Sequence, residues 1–160
     1  MANFGTLVML KTNIDDLNPE FYEHVMALLF ESGALDVFFS PIQMKKNRPA
    51  TLLQVLAKPA DAPKLREILF RETTTLGVRQ VSVERYALER EIREVETTYG
   101  KVRVKVAKLG DGTIKTSPEY EDCRKIAQSE EIPLHEVFLA AKKAVETNDQ
   151  VLTDAHPLVR

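Results

Sequence analysis

Residues 35–57 read LDVFFSPIQMKKNRPATLLQVLA, and this stretch decides the fold. Leu35, Val37 and Phe39 recur with the period of two that marks a strand. Pro41 then shifts the phase to Ile42 and Met44, and a residue without a ladder N–H belongs at a sheet edge or a bulge. Residues 45–49 make a turn. Leu53, Val55 and Ala57 carry the next strand, so a hairpin sits in the middle of the first half.

Working outward, residues 6–12 are rich in strand formers (Leu7, Val8, Met9, Leu10) and predict a buried strand. Asn18-Pro19 offers an N-cap followed by proline at the first helical position. Phe21, Val25, Leu28 and Leu29 then share a helix face that stops near Gly33. Tyr22, Met26 and Phe30 widen that face beyond one core contact, so part of this helix is expected to meet another subunit. Asp61 is placed to cap a second helix with Leu65, Ile68, Leu69 and Leu76 inward, and Gly77 restarts a strand through Val78, Val81 and Val83.

The order is β-α-β-β-α-β, the ferredoxin-like order. Beyond it, residues 92–98 and Val102, Val104 and Val106 predict a hairpin around Tyr99-Gly100. Gly110-Asp111-Gly112 turns into a short strand ending at Lys115. Ser117-Pro118 is expected to open a third helix (Tyr120, Cys123, Ile126 and Ala127 inward). Pro133 is expected to open a fourth (Val137, Phe138, Ala141 and Val145 inward). The expected fold class is α+β: a ferredoxin-like core with an appended β-hairpin and two C-terminal helices. The expected domains are 1–87, a small strand-helix domain over 88–148 packed on it, and a polar tail over 149–160.

With 160 residues, 44% of them hydrophobic, the chain can form one domain or one with a small appendage. Its 22 basic and 24 acidic residues nearly balance, so nothing pulls the whole molecule toward nucleic acid. RNA-binding sheets of this strand order stack bases on aromatic residues of central strands. Here those strands show Leu7, Met9 and Lys11, then Leu52, Gln54 and Leu56, and the nucleic-acid reading fails on residue type. Cys123 is the single cysteine, which points to a reducing compartment. The start lacks a basic leader and no apolar run reaches spanning length, so a cytoplasmic protein away from membranes is expected.

Topology gathers the polar motifs. A right-handed crossover makes the first two strands finish at the same end of the sheet. That places Asp15-Asp16 beside the turn of Lys45, Lys46, Asn47 and Arg48, and the second helix returns Arg71, Thr73, Thr74 and Thr75 there, with Arg79 next. Asp15 and Asp16 supply hard oxygen ligands suited to Mg²⁺ or Mn²⁺. They equally suit the dipole of the following helix. Lys45, Lys46 and Arg48 form a phosphate clamp of two point charges and one fork, or a solvated hairpin tip that discourages edge pairing. Asn47 fits the left-handed turn position. Arg71, Thr73, Thr74, Thr75 and Arg79 fit phosphate or ribose, or a plain helix-to-strand transition. Neither a P-loop nor a Rossmann glycine pattern is present. Lys101, Arg103 and Lys105 make one basic strand face, solvated or extending the anion site. His24, His135 and His156 show no ligand spacing, and Cys123 reads as packing.

Four words in order carry a likeness: Thr12-Asn13-Ile14-Asp15-Asp16-Leu17-Asn18-Pro19-Glu20, Met44-Lys45-Lys46-Asn47-Arg48-Pro49, Arg71-Glu72-Thr73-Thr74-Thr75-Leu76-Gly77-Val78-Arg79 and Pro118-Glu119-Tyr120-Glu121-Asp122-Cys123. Over about residues 6–145 the chain resembles the C-terminal domain of the LarC-type nickel insertion proteins, the pyridinium-3,5-bisthiocarboxylic acid mononucleotide nickel chelatases. The resemblance implies a CTP-dependent cyclometallase, of the lyase class, that completes the nickel-pincer cofactor of lactate racemase. It implies CTP with Mg²⁺ or Mn²⁺, nickel as the inserted metal, and the pyridinium mononucleotide as substrate. It also implies a homo-oligomer (trimer or hexamer) and partnership with an N-terminal region whose histidine-rich segment suits nickel. Nickel ligands are therefore expected outside this chain. On the same basis nucleotide contact is carried onto Lys45, Lys46, Asn47, Arg48, Arg71, Thr73, Thr74 and Arg79, and metal contact onto Asp15 and Asp16. The alternative is a non-enzymatic ferredoxin-like module for ligand binding or oligomerisation.

Overall fold

Strand-forming residues of the first half build a four-stranded sheet whose strands lie in the order second, third, first, fourth, that of a ferredoxin-like unit. The elements are β1 (Ala2–Ile14), α1 (Phe21–Glu31), β2 (Asp36–Met44), β3 (Arg48–Ala57), α2 (Ala62–Glu72) and β4 (Arg79–Ala87). The computed structural model describes residues 2–154, and they divide into a unit spanning Asn3–Ala87 and a second that begins at Leu88.

In the first unit β3 pairs antiparallel with both β1 and β2, with Leu10 and Val37 each opposite Val55. The in-phase residues Leu10, Ile14, Leu53 and Val55 are buried with Val25 and Leu29 of α1 and Leu65 and Leu69 of α2. Both prolines of the hairpin follow the ladder rule. Pro41 lies on the edge strand β2, and Pro49 lies beyond the last β1–β3 pair, Ile14 with Thr51. The hairpin tip therefore projects past the end of β1.

Several local expectations are corrected. Asn18 does not cap α1; Glu20 occupies the cap position, and the Asn18 side-chain oxygen accepts from the Glu20 N–H at 3.2 Å. An Asx turn has competed successfully with the cap. Gly33 does end the helix, at φ +102, where a side chain would be strained. Asp61 stands at the start of α2 but its side chain makes no capping bond. Leu76 is not inward: it lies past the helix end and is 99% exposed. Phe21 is exposed as well, while Tyr22 and Met26 pack on the core.

The second unit holds β5 (Arg90–Thr97), β6 (Gly100–Lys108), β7 (Ile114–Pro118), α3 (Tyr120–Ser129) and α4 (Leu134–Asp154). Its sheet runs β5-β6-β7, antiparallel throughout, with Val95 opposite Val102 around the Tyr99-Gly100 turn. Val102, Val104 and Val106 face a core with Cys123, Val137, Ala141 and Val145. Here too the sequence misplaces a boundary. Ser117-Pro118 ends β7 rather than opening α3, because an edge strand tolerates proline, and Tyr120 is exposed. The tail expected over 149–160 is helical through Asp154, since no proline or glycine interrupts α4; the remainder lies outside the described residues. Among the described residues, no helix is long and apolar enough to cross a membrane.

Candidate functional site

At the end of β1, five contacts join segments far apart in sequence. The Arg48 guanidinium donates to Asp15 Oδ2 at 3.0 Å. The Thr74 hydroxyl donates to Asp16 Oδ1, and Arg79 Nη2 donates to Asn13 Oδ1. The Thr12 hydroxyl donates to the Gly77 carbonyl at 2.9 Å and meets the Thr75 hydroxyl closely. With the Thr12 proton on Gly77, that of Thr75 falls on Thr12. All these residues belong to the first unit. The hairpin tip, the end of β1 and the segment after α2 thus form one rim.

The segment after α2 is braced by its own threonines. Thr73 turns its hydroxyl onto the Leu69 carbonyl (2.6 Å) and accepts from the Thr75 N–H (3.2 Å). The Thr75 oxygen also lies 3.1 Å from the Gly77 carbonyl, a second acceptor within reach of its single proton. β-branched residues at a helix end, unhelpful to the helix itself, here satisfy carbonyls left open by its termination. Thr12 is in phase with buried Leu10 and Ile14, and as the buried polar residue of that strand it anchors the loop.

The hairpin tip is a short 3-10 turn in which Lys46 (φ 60) and Asn47 (φ 57) both adopt left-handed backbone. Asn47 accepts from Gln43 at 3.0 Å, which tightens the tip. Lys45 and Lys46 are exposed. Left-handed backbone at a lysine is unusual and strained, and such strain gathers at binding sites. Arg71 turns toward its neighbour Glu72 (3.0 Å), which also faces His24. Arg71 and Thr73 therefore contact none of the rim carboxylates, whereas Asp15, Asp16, Arg48, Thr74 and Arg79 are bonded across the rim.

Sequence reasoning gave Thr12, Asn13 and Gly77 no individual site role. Phase carried a signal: a threonine between two buried apolar residues needs a partner. Beside these groups lies a depression of about 360 Å³ lined by Asn13, Thr75, Leu76, Gly77, Val78 and Arg79.

Two consecutive carboxylates fit a hard divalent cation that takes its remaining ligands from water and phosphate. Among the described residues no group of three or more His, Cys, Asp or Glu could hold a metal by itself. Asp15 and Asp16 already face one cation and one hydroxyl donor, so their lone pairs are oriented into the rim.

The basic face of β6 has a different use. Lys101 pairs with Glu94 (3.0 Å), Lys105 with Glu119 (2.8 Å), and Arg103 grips Asp122 with two 2.8 Å bonds. The Arg103 backbone N–H adds a third bond to Asp122 at 3.1 Å. Arg103 holds the Asp122 carboxyl down to about 2, and burial pushes the Cys123 thiol up. These residues tie the start of α3 to β6.

The model of the family described as nickel insertion protein matches residues 2–138. A pyridinium-3,5-bisthiocarboxylic acid mononucleotide nickel insertion protein of Acetivibrio thermocellus is 52% identical over 150 residues, 91% of this chain and 37% of the relative. One of the same description from Thermotoga petrophila is 43% identical over 138 residues, 86% of this chain and 35% of the relative. The chain thus spans little more than a third of the length of these relatives. A solved structure of LarC2, the C-terminal domain of a cyclometallase involved in synthesis of the NPN cofactor of lactate racemase, matches with TM-score 0.83 and 44% identity. That match covers 89% of this chain and 98% of the LarC2 chain.

Proposed function

Because this chain belongs to the nickel insertion protein family, we propose that it is the C-terminal, nucleotide-binding part of a CTP-dependent cyclometallase. The substrates are nickel and the pyridinium mononucleotide. The observation that supports this most is the rim itself: two carboxylates, an arginine fork, a lysine turn and threonine hydroxyls brought together from three separate segments.

The residues divide the work by chemistry. Asp15 and Asp16 hold a Mg²⁺ or Mn²⁺ ion, which when bound neutralises charge on the phosphates. Arg48 exchanges its carboxylate partner for phosphate oxygens, keeping a charge-assisted bond in either state. Lys45 and Lys46, exposed on a fixed tip, add two mobile positive charges above the same rim. Thr74 exchanges Asp16 for ligand, and Arg79 reaches the ligand from Asn13. Arg71 and Thr73 support the segment from behind, and Asn47 shapes the tip. Such a site stabilises the charge that develops when a nucleotidyl group is transferred. Nickel is cargo, and its ligands lie in the N-terminal region that accompanies this part in the family.

The exposed Phe21 (51%) and Phe30 (44%) of α1 support contact between copies of this chain; the trimer or hexamer rests on the family resemblance alone. A cytoplasmic setting agrees with the single buried cysteine.

Calorimetry with Mg-CTP, followed by assay for CMP with nickel, the pyridinium mononucleotide and the family's N-terminal region added, tests the reading. Saturable binding with CMP formation is expected. Binding without CMP formation selects the non-enzymatic module, and absence of binding overturns the nucleotide site.

A further inference from the structure

We propose that Leu76 is the apolar wall against which the base of the bound nucleotide packs, and that it sets the preference for a nucleoside triphosphate over a bare triphosphate. The inference rests on the nucleotide reading of the rim and names the part of the ligand held beside it.

Leu76 is 99% exposed, the extreme among the large apolar side chains of the described residues. Its position is not that of a loose loop tip. Thr75 on one side is bonded to Thr73 and Thr12, and Gly77 on the other is bonded to Thr12 and Thr75. The backbone therefore holds the leucine out in water and prevents it from folding back onto the core. Burial of a leucine side chain is favourable, and this braced segment leaves that gain unrealised.

The surroundings define the occupant. Leu76 borders the depression of about 360 Å³, whose other lining groups are the Asn13 amide, the Thr75 hydroxyl, Arg79, Gly77 and Val78. That volume falls in the range of small-ligand sites. One apolar wall with amide, hydroxyl and guanidinium groups at its margin suits a flat heterocycle, apolar on its face and polar at its edge. The Asp16–Thr74 bond lies two residues away along the same segment. A ligand whose phosphates lie at the rim thus presents its base to Leu76.

The chain contains no tryptophan, so Leu76→Trp installs a single fluorescent reporter at the wall. Mg-CTP is expected to quench or shift its emission, while Mg-tripolyphosphate competes for the site and leaves the emission unchanged. Leu76→Ala is expected to weaken Mg-CTP binding about tenfold and to leave tripolyphosphate binding within twofold. If calorimetry shows Mg-CTP binding to the unsubstituted chain but the reporter does not respond and the alanine variant binds normally, the base wall is refuted and the rim site survives. If neither Mg-CTP nor Mg-tripolyphosphate binds the unsubstituted chain, the nucleotide reading fails and takes this inference with it. Emission that follows protein concentration and ignores nucleotide assigns Leu76 to a contact between copies and also overturns the proposal.

Discussion

Replacing Thr12 with valine removes a hydroxyl while keeping the branched shape, and it isolates the anchor that fixes the rim loop. Two hydrogen bonds vanish, one donated to the Gly77 carbonyl and one accepted from Thr75. Each is worth about 1 kcal/mol net. The loss is partly offset, because the Thr75 proton, released from Thr12, can turn to the Gly77 carbonyl at 3.1 Å, and the new methyl group is apolar in an apolar layer. The net cost is therefore about 1 kcal/mol, concentrated on local opening of residues 73–79. Hydrogen exchange followed by mass spectrometry reads it directly: a change of that size speeds exchange of the loop amides about fivefold. Thr12→Ser, which retains the hydroxyl, should restore most of the protection. Exchange in Thr12→Val within twofold of the parent, or equal acceleration by serine and valine, would refute the anchoring argument.

Two further outcomes are expected. Lys46→Gly relieves left-handed strain at φ 60; after the added freedom of the unfolded chain, it should stabilise by roughly 0.5 kcal/mol in denaturant unfolding while weakening Mg-CTP binding several-fold. Asp122→Asn should lower thermal stability at pH 7. Because Arg103 holds the folded carboxyl near 2 against an ordinary 3.8, the pair contributes fully above about pH 4, and the difference between parent and variant should close as pH falls from 4 to 2 in circular dichroism melts.

The sheet was legible because period-two runs such as Val37 with Phe39 and Val102 with Val104 also bury one face. Pro41 correctly marked an edge. Helix starts were misread where two local chemistries compete: Asn18 chose an Asx turn over a cap, and Ser117-Pro118 paired on an edge strand. A basic row such as Lys101, Arg103 and Lys105 reads identically whether it awaits a phosphate or is answered by Glu94, Asp122 and Glu119. Only tertiary placement separates the two. At the rim the charged residues and the threonine run after α2 stood out from sequence, but the bonds of Thr12 to Thr75 and Gly77 did not, because they bridge positions 63 and 65 residues apart.

The central claim is that opposite charges on this one rim grip a single triphosphate together with its ion. Titrating CTP calorimetrically with and without Mg²⁺ into the parent chain, Asp15→Ala and Arg48→Ala tests it most directly. Asp15→Ala should erase the gain in CTP affinity that Mg²⁺ gives the parent, while Arg48→Ala should weaken CTP binding about tenfold whether or not the ion is present. Parent-like Mg-CTP affinity in both variants would contradict the account.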